Sequence, residues 1–419
     1  MKRFKKVMGT LHLWLGLASG LVVFVVALTG ALLTFEEEIE YHIISPGLWL
    51  VDQQPKPPLP VDSLMRLATP ELLKLAHGQK ASRVFLFNDP GRSVVVGFNY
   101  TDAASENHRG HVFLNPYNGQ LLGSRTGNPH HPVWQTLTDI HINLLLGELG
   151  SALVTWGTLV FLIMVLSGLV LWWPKNKSAA KQRVWFRWQA SSRWKRKNYD
   201  LHNILGFYAC WVVLFMIVTG AMWAFDWFNN GVYFIMSGGK TLQTSYEESI
   251  RPAQKNSEPK VYPIEPAQYA VALTAFKQRY PAIYQSATEV DVGYFANEKD
   301  SLMDVAATFD PKGIRGQKTM WAFFDKTTNR IVRDNSDNIK NFGDAVQMST
   351  NELHYGTFFG MTSKLLTFLA CLIAASLPIS GFYIWYGRRR KPAQHVRSVV
   401  VKPRPRRPNS RRPNYIKNE

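Results

Sequence analysis

Four of the eleven histidines in this chain stand at positions that recur. His12 and His202 stand at the start of two long apolar helices, and His141 and His354 at the start of two others. Imidazole is a ligand for haem iron. Two histidines on facing helices can hold one haem from both sides, leaving no open coordination position for oxygen chemistry, so the site would carry electrons. The same donors also suit zinc or copper. A single histidine at a membrane boundary is ordinarily an interfacial polar residue or a helix cap. What sets these four apart is their pairing by level, His12 with His202 and His141 with His354.

Neighbouring residues extend the pattern. Gly16 and Gly206 lie four residues beyond His12 and His202, about 40° round a helix, where a missing side chain would let a flat ring approach the backbone. Gly30 and Gly220 return to the histidine face at the level of the other pair. The two levels are about 27 Å apart at 1.5 Å per residue, long for one electron hop. Either the rings extend towards each other or Trp156, Phe161, Trp211 and Phe215 are expected between them. Glu148 and Lys364 follow His141 and His354 at or just below the outer level. Lone charges there are costly, so Lys364 is expected to meet Glu148 or a haem propionate, the alternative being that it snorkels to the headgroups.

The elements that must position these residues follow from charge and hydropathy. Val7 to Phe35, Leu149 to Pro174, Leu201 to Phe225 and Leu365 to Gly387 contain no Asp, Glu, Lys or Arg, and each exceeds the roughly 20 residues that cross a bilayer as a helix. The net charge of +18 is concentrated beside them. Residues 2 to 6, 174 to 200 and 387 to 419 carry about half of all lysines and arginines but only two acids, Asp200 and Glu419. That distribution is topological and argues against nucleic-acid binding, which needs a basic folded face. The apolar content of 46% excludes disorder, and two cysteines, Cys210 and Cys371, both inside spans, exclude a disulfide scaffold. The first run is too long for a signal peptide and lacks a small-residue cleavage site, so it reads as an uncleaved helix.

The expected order is a cytoplasmic N-terminus (1–8), a first span (9–35), an external domain (36–140), a second span (141–174), a basic cytoplasmic loop (175–200), a third span (201–227), a second external domain (228–353), a fourth span (354–387) and a basic cytoplasmic tail (388–419). Both termini are therefore expected in the cytoplasm. The third run repeats the first at a constant offset: Leu11-His12 meets Leu201-His202, and Thr29-Gly30-Ala31 meets Thr219-Gly220-Ala221. The fourth repeats the second, with His141 on His354 and Ser167-Gly168 on Ser380-Gly381. An α-helical integral membrane protein results, a four-helix bundle built from a duplicated unit with two external α+β domains.

In the first domain, the amphipathic stretch Val61 to His77 precedes strands at Arg83 to Phe87, Ser93 to Gly97 and His111 to Leu114. The second has a helix at Pro266 to Tyr280 and strands near Ala287 to Phe295, Asp304 to Phe309, Met320 to Phe324 and Arg330 to Val332. Gln53 to Pro60 reads as a stiff connector and the tail as a basic arm held near anionic lipid. His130 and His131 read as loop residues; His42, His77, His108, His111 and His395 as surface residues. Trp14, Trp49, Trp172, Trp173, Trp223, Trp227 and Trp385 read as an interfacial belt.

Two copies of helix, external domain and helix, with L-H and T-G-A motifs, the turns N-P-Y-N-G-Q-L-L and F-D-K-T-T-N-R-I-V and a final S-G-F-Y-I-W-Y, resemble the PepSY-associated transmembrane family of iron-regulated inner-membrane proteins. The resemblance implies two periplasmic PepSY-like domains, a bacterial inner-membrane location, and two haem b groups held by His12, His202, His141 and His354. It further implies an oxidoreductase that reduces ferric siderophores in the periplasm for iron uptake. Some members are fused to a flavin reductase domain; here only a basic tail follows Arg390, so a separate cytosolic or quinol electron donor is expected. The competing functions are a siderophore or metal permease, and a haem-free scaffold that modulates periplasmic proteins.

Overall fold

The computed structural model describes residues 2–75, 82–101, 107–174, 176–242, 265–294, 302–309, 318–335 and 341–389. His77, Phe295, His395 and all but the first residues of the basic tail lie outside the described residues.

Four helices are long and apolar enough to cross a bilayer: α1 (Lys2–Leu33), α6 (Gly147–Trp172), α8 (Trp194–Ala224) and α14 (Met361–Arg389). Both α1 and α8 pack against α6 and against α14, which puts α1 and α8 across one diagonal of the bundle. Small residues let the helices close on each other: Ala209, Ala370 and Ala374 are buried with Val213 and Ile217, and Phe161 packs beside them.

The second and fourth spans differ from the expected continuous helices over 141–174 and 354–387. His141 lies on a separate helix, α5 (Pro132–Asn143), and His354 on α13 (Thr350–Tyr355). The chain then breaks. Leu144, Leu145 and Gly147 have φ of 55°, 57° and 58°, and in the other half Gly356 and Gly360 have φ of 76° and 64°. Left-handed residues end a helix because their carbonyls no longer point along its axis, so each histidine helix is free to turn away from the span that follows it.

The polar segments do not form two separate domains. The strands β1 (Arg83–Phe87), β2 (Val94–Thr101), β3 (Asn107–Leu114), β4 (Leu121–Thr126), β5 (Ala287–Tyr294), β6 (Leu302–Phe309), β7 (Lys318–Asp325) and β8 (Arg330–Asp334) make one antiparallel sheet in the order β4-β3-β2-β1-β5-β6-β7-β8. The halves join where β1 pairs with β5, from Arg83 opposite Gly293 to Phe87 opposite Glu289. Each four-stranded half would otherwise expose the unpaired backbone of β1 or β5; joining them satisfies both edges. At the seam Arg83 bonds Asp291 at 2.6 Å and Asp304 at 3.0 Å. Gly293 is needed there, since a Cβ would stand 2.8 Å from the guanidinium carbon. Burial pushes the Asp291 carboxyl well above the usual carboxylate range, against the pull of Arg83.

One face of the sheet is covered by α4 (Val61–Leu75) and α10 (Pro266–Arg279), the two amphipathic stretches read from the sequence. Leu64, Met65, Leu72, Tyr269 and Phe276 meet Val84, Val96, Val112, Val292 and Phe324 in one core shared by both halves. On the other face Trp49 is buried against Val95 and Phe113, so it belongs to the core and not to an interfacial belt. His111, expected at the surface, is buried on β3.

Candidate functional site

The four histidines form the two expected pairs. His12 on α1 and His202 on α8 have ring centres 6.4 Å apart and planes at 89°, near the bundle end that carries the basic segments. His141 and His354 have centres 6.3 Å apart and planes at 82°, near the sheet. Each pair takes one histidine from each half of the chain.

Every ring is held by a hydroxyl on a neighbouring span of its own half. His12 Nδ1 lies 3.0 Å from Ser167 Oγ and 3.1 Å from the Met164 carbonyl, and His202 Nδ1 lies 2.9 Å from Ser380 Oγ. His141 Nδ1 lies 3.1 Å from Thr29 Oγ1, and His354 Nδ1 lies 2.8 Å from Thr219 Oγ1. A hydroxyl has one proton. Ser167 and Ser380 donate theirs to the Met164 and Leu377 carbonyls, and Thr29 and Thr219 donate to carbonyls one turn back on α1 and α8. Each oxygen is therefore left to accept from imidazole, which places the histidine proton on Nδ1 and the lone pair on Nε2. Among the described residues no hydrogen bond engages any of the four Nε2 atoms.

Glycines beside these hydroxyls seat the rings. A Cβ on Gly168 would stand 3.2 Å from His12 Cε1, on Gly381 3.3 Å from His202 Cε1, on Gly30 3.1 Å from His141 Cε1, and on Gly220 3.4 Å from His354 Cε1. The Thr-Gly and Ser-Gly dipeptides thus act as units: the first residue accepts the hydrogen bond from Nδ1 and the second makes room for the ring. Gly30 and Gly220 stand where the sequence put them, beside the sheet-end pair. Gly16 and Gly206 do not approach His12 and His202. They face Met164 and Leu377, because each ring leans onto the adjacent span and not along its own helix. The repeated Ser-Gly on the second and fourth spans was the available signal for the true seats.

A cavity of about 290 Å³ adjoins the sheet-end pair and reaches from His141, His354 and Trp223 past Val22 and Phe161 towards the bundle centre. Its volume is near the lower end of cofactor-sized clefts. Of the aromatic residues expected between the two levels, only Phe161 lines it; Trp156, Trp211 and Phe215 project outward, since the centre is filled by alanine and valine. The Trp223 ring lies 4.6 Å from that of His354.

The expected contact between Lys364 and Glu148 is absent. Lys364 Nζ instead bonds both carboxylate oxygens of Glu38, at 2.6 and 2.8 Å, while Glu148 is exposed in the first turn of α6. The chain break after α5 carries Glu148 away from the α1–α14 interface. Glu38 lies on α2 (Glu36–Ile39), directly beyond α1.

A residue that sequence reasoning missed fixes α5. Glu40 is fully buried and accepts from Arg125 Nη1 at 2.7 Å, Trp134 Nε1 at 3.0 Å and Trp49 Nε1 at 3.2 Å. Trp134 is on α5, so one carboxylate ties the extension of α1, the sheet and the helix of His141 together. Burial would raise the Glu40 carboxyl, but hydrogen bonds from Arg125, Ser45 and Trp134 outweigh it and hold the group at about 2. His130, expected as a loop residue, sits 2.5 Å from Glu36 Oε1 against Tyr41 and Trp49, and His131 caps α5 by accepting from the Val133 N–H.

The donor set fits a haem better than a bare ion. Two metal–imidazole bonds of about 2 Å, with roughly 1 Å from nitrogen to ring centre on each side, give centres about 6 Å apart, close to both observed separations. Among the described residues no three His, Cys, Asp or Glu side chains gather to hold a metal ion. Two imidazoles complete a haem, whose ring supplies four nitrogens, but leave a tetrahedral zinc site two ligands short.

The apolar bundle and its polar sheet define a membrane protein. The chain belongs to the PepSY-associated TM region family, which matches residues 10–388. No curated protein matches it.

Proposed function

We propose that this protein is a transmembrane di-haem oxidoreductase of the bacterial inner membrane, moving electrons through the bundle to reduce ferric siderophores on the periplasmic side. The observation that carries this reading is the doubled histidine pair, with four imidazoles presenting Nε2 at two levels of one bundle. His12 with His202, and His141 with His354, would hold the two haems. Each bound haem would supply a one-electron iron couple with no coordination position open to oxygen.

The chain's own residues do the rest. Ser167, Ser380, Thr29 and Thr219 keep the proton on Nδ1 and the ring fixed, which holds the ligand geometry constant across oxidation states. Between the levels the bundle is lined by apolar side chains, Ala209, Val213, Ile217, Ala370 and Ala374 among them. The reading also takes the chain as a duplicated unit with both termini cytoplasmic and electrons entering from a separate cytosolic or quinol donor. A ferric chelate that gains one electron loosens, because hard oxygen ligands hold Fe(III) far better than Fe(II).

An absorption spectrum of the purified protein tests the reading. A low-spin haem spectrum at two haems per chain is expected, with reoxidation of the dithionite-reduced protein by a ferric hydroxamate and trapping of Fe(II). A chain that carries no haem after expression with excess haem would sink it in favour of a permease or scaffold.

A further inference from the structure

A second cavity, of about 350 Å³, opens at the basic end of the bundle, between the start of α1 and the facing sides of α6 and α8. Its walls are aromatic: Phe4, Trp172, Trp173, Phe207 and Trp211, with the Trp172 and Phe207 rings stacked 3.6 Å apart and parallel to within 3°. Among the described residues Lys5 is its one charged lining residue, and the Trp173 carbonyl is the one hydrogen-bond partner of Lys5 Nζ, at 2.9 Å. An ammonium has three protons, so two remain for a ligand. Lys2, Arg3 and Lys6 precede and follow on the same helix, and the basic helix α7 (Lys177–Val184) brings Arg183 to the crevice wall. Arg183 itself is committed to the Leu171 and Trp172 carbonyls and braces the wall.

We infer that this crevice is a binding site for one anionic phospholipid, its acyl chain against the stacked aromatic wall and its phosphate on Lys5. The charge complementarity selects the ligand. An apolar cleft with a cation at its rim, on a helix end rich in further cations, matches a lipid whose only charge is at one end. A quinol is disfavoured by the same walls: its oxidation releases two protons, and among the described residues no carboxylate or imidazole lines the crevice to accept them. The bound lipid would pin the start of α1 to α6 and α8. Leu169, in the crevice wall, follows directly on Gly168, the seat of the His12 ring. The inference does not depend on the haem reading.

Native mass spectrometry of the full chain, delipidated in detergent and titrated with phosphatidylglycerol or phosphatidylcholine, tests it. One phosphatidylglycerol is expected to bind in preference to phosphatidylcholine. Lys5→Gln should weaken it about fivefold, the effect of one surface cation, while Lys5→Arg and Lys6→Gln keep it. Trp172→Leu should weaken both lipids. Equal binding of the two lipids, an unaffected Lys5→Gln, or a loss in Lys6→Gln as large as in Lys5→Gln would overturn the site. So would displacement of the lipid by an equimolar short-chain quinone.

Discussion

His354 Nδ1 meets Thr219 Oγ1 at 2.8 Å, across a helix boundary and 135 residues of chain, and that hydroxyl has already spent its proton on the Phe215 and Met216 carbonyls. The contact fixes which nitrogen of His354 is free. Thr219→Val keeps the shape and removes the acceptor, so the Nδ1 proton loses its partner and Nε2 loses its fixed direction. Haem affinity at the sheet-end site should fall by about 10- to 100-fold, read by titrating haem into the apoprotein, with Thr219→Ser close to wild type. An unchanged affinity in Thr219→Val would remove the orienting role.

The pairs themselves separate by single substitutions. His12→Ala or His202→Ala should leave one haem per chain, the sheet-end one, and His141→Ala or His354→Ala should leave the other. Haem-to-protein ratio and potentiometric titration read the outcome. Four variants that all retain two haems would defeat the ligand assignment.

The bond between Lys364 and Glu38 predicts an asymmetry between Glu38 and Glu148. Lys364→Met strands Glu38 at the bundle edge and should cost about 1–3 kcal/mol, since an unpaired carboxylate bears the loss. Adding Glu38→Gln to it should recover most of that. Glu148→Gln, at an exposed site, should stay within about 0.5 kcal/mol. Thermal unfolding of the four proteins in one detergent measures each figure; coupling of Lys364 to Glu148 and not to Glu38 would contradict the geometry.

Glu40 predicts an acid limb in the stability curve. Its carboxyl is held at about 2 in the folded protein against an ordinary 4.5, so it contributes stability that is fully present above about 4.5 and lost as the pH falls towards 2. Wild type should therefore lose more stability than Glu40→Gln over that window, while the variant starts lower at neutral pH because Trp49, Trp134 and Arg125 lose a charged partner. Parallel curves for the two proteins would contradict this. Loosening of Trp134 should also reach His141 on the same helix, seen as a weaker sheet-end site.

The four spans, the basic face of the bundle and the levels of His12, His202, His141 and His354 were determined by the sequence alone. Hydrophobic length and charge asymmetry are properties of short continuous stretches, and a repeat shows itself by alignment. The amphipathic stretches of α4 and α10 and most strands were legible for the same reason. Tertiary structure decided the rest. Which hydroxyl receives each Nδ1 depends on contacts such as His12 with Ser167, 155 residues apart, and no local pattern encodes them. The union of two half-sheets depends on two edge strands finding each other, which their sequences permit but do not announce. The left-handed breaks cost backbone energy at Leu144 and Leu145, which long-range contacts offset, while Gly147, Gly356 and Gly360 adopt the same conformation without strain. The breaks turn His141 and His354 inward and send Glu148 outward, leaving Lys364 to Glu38.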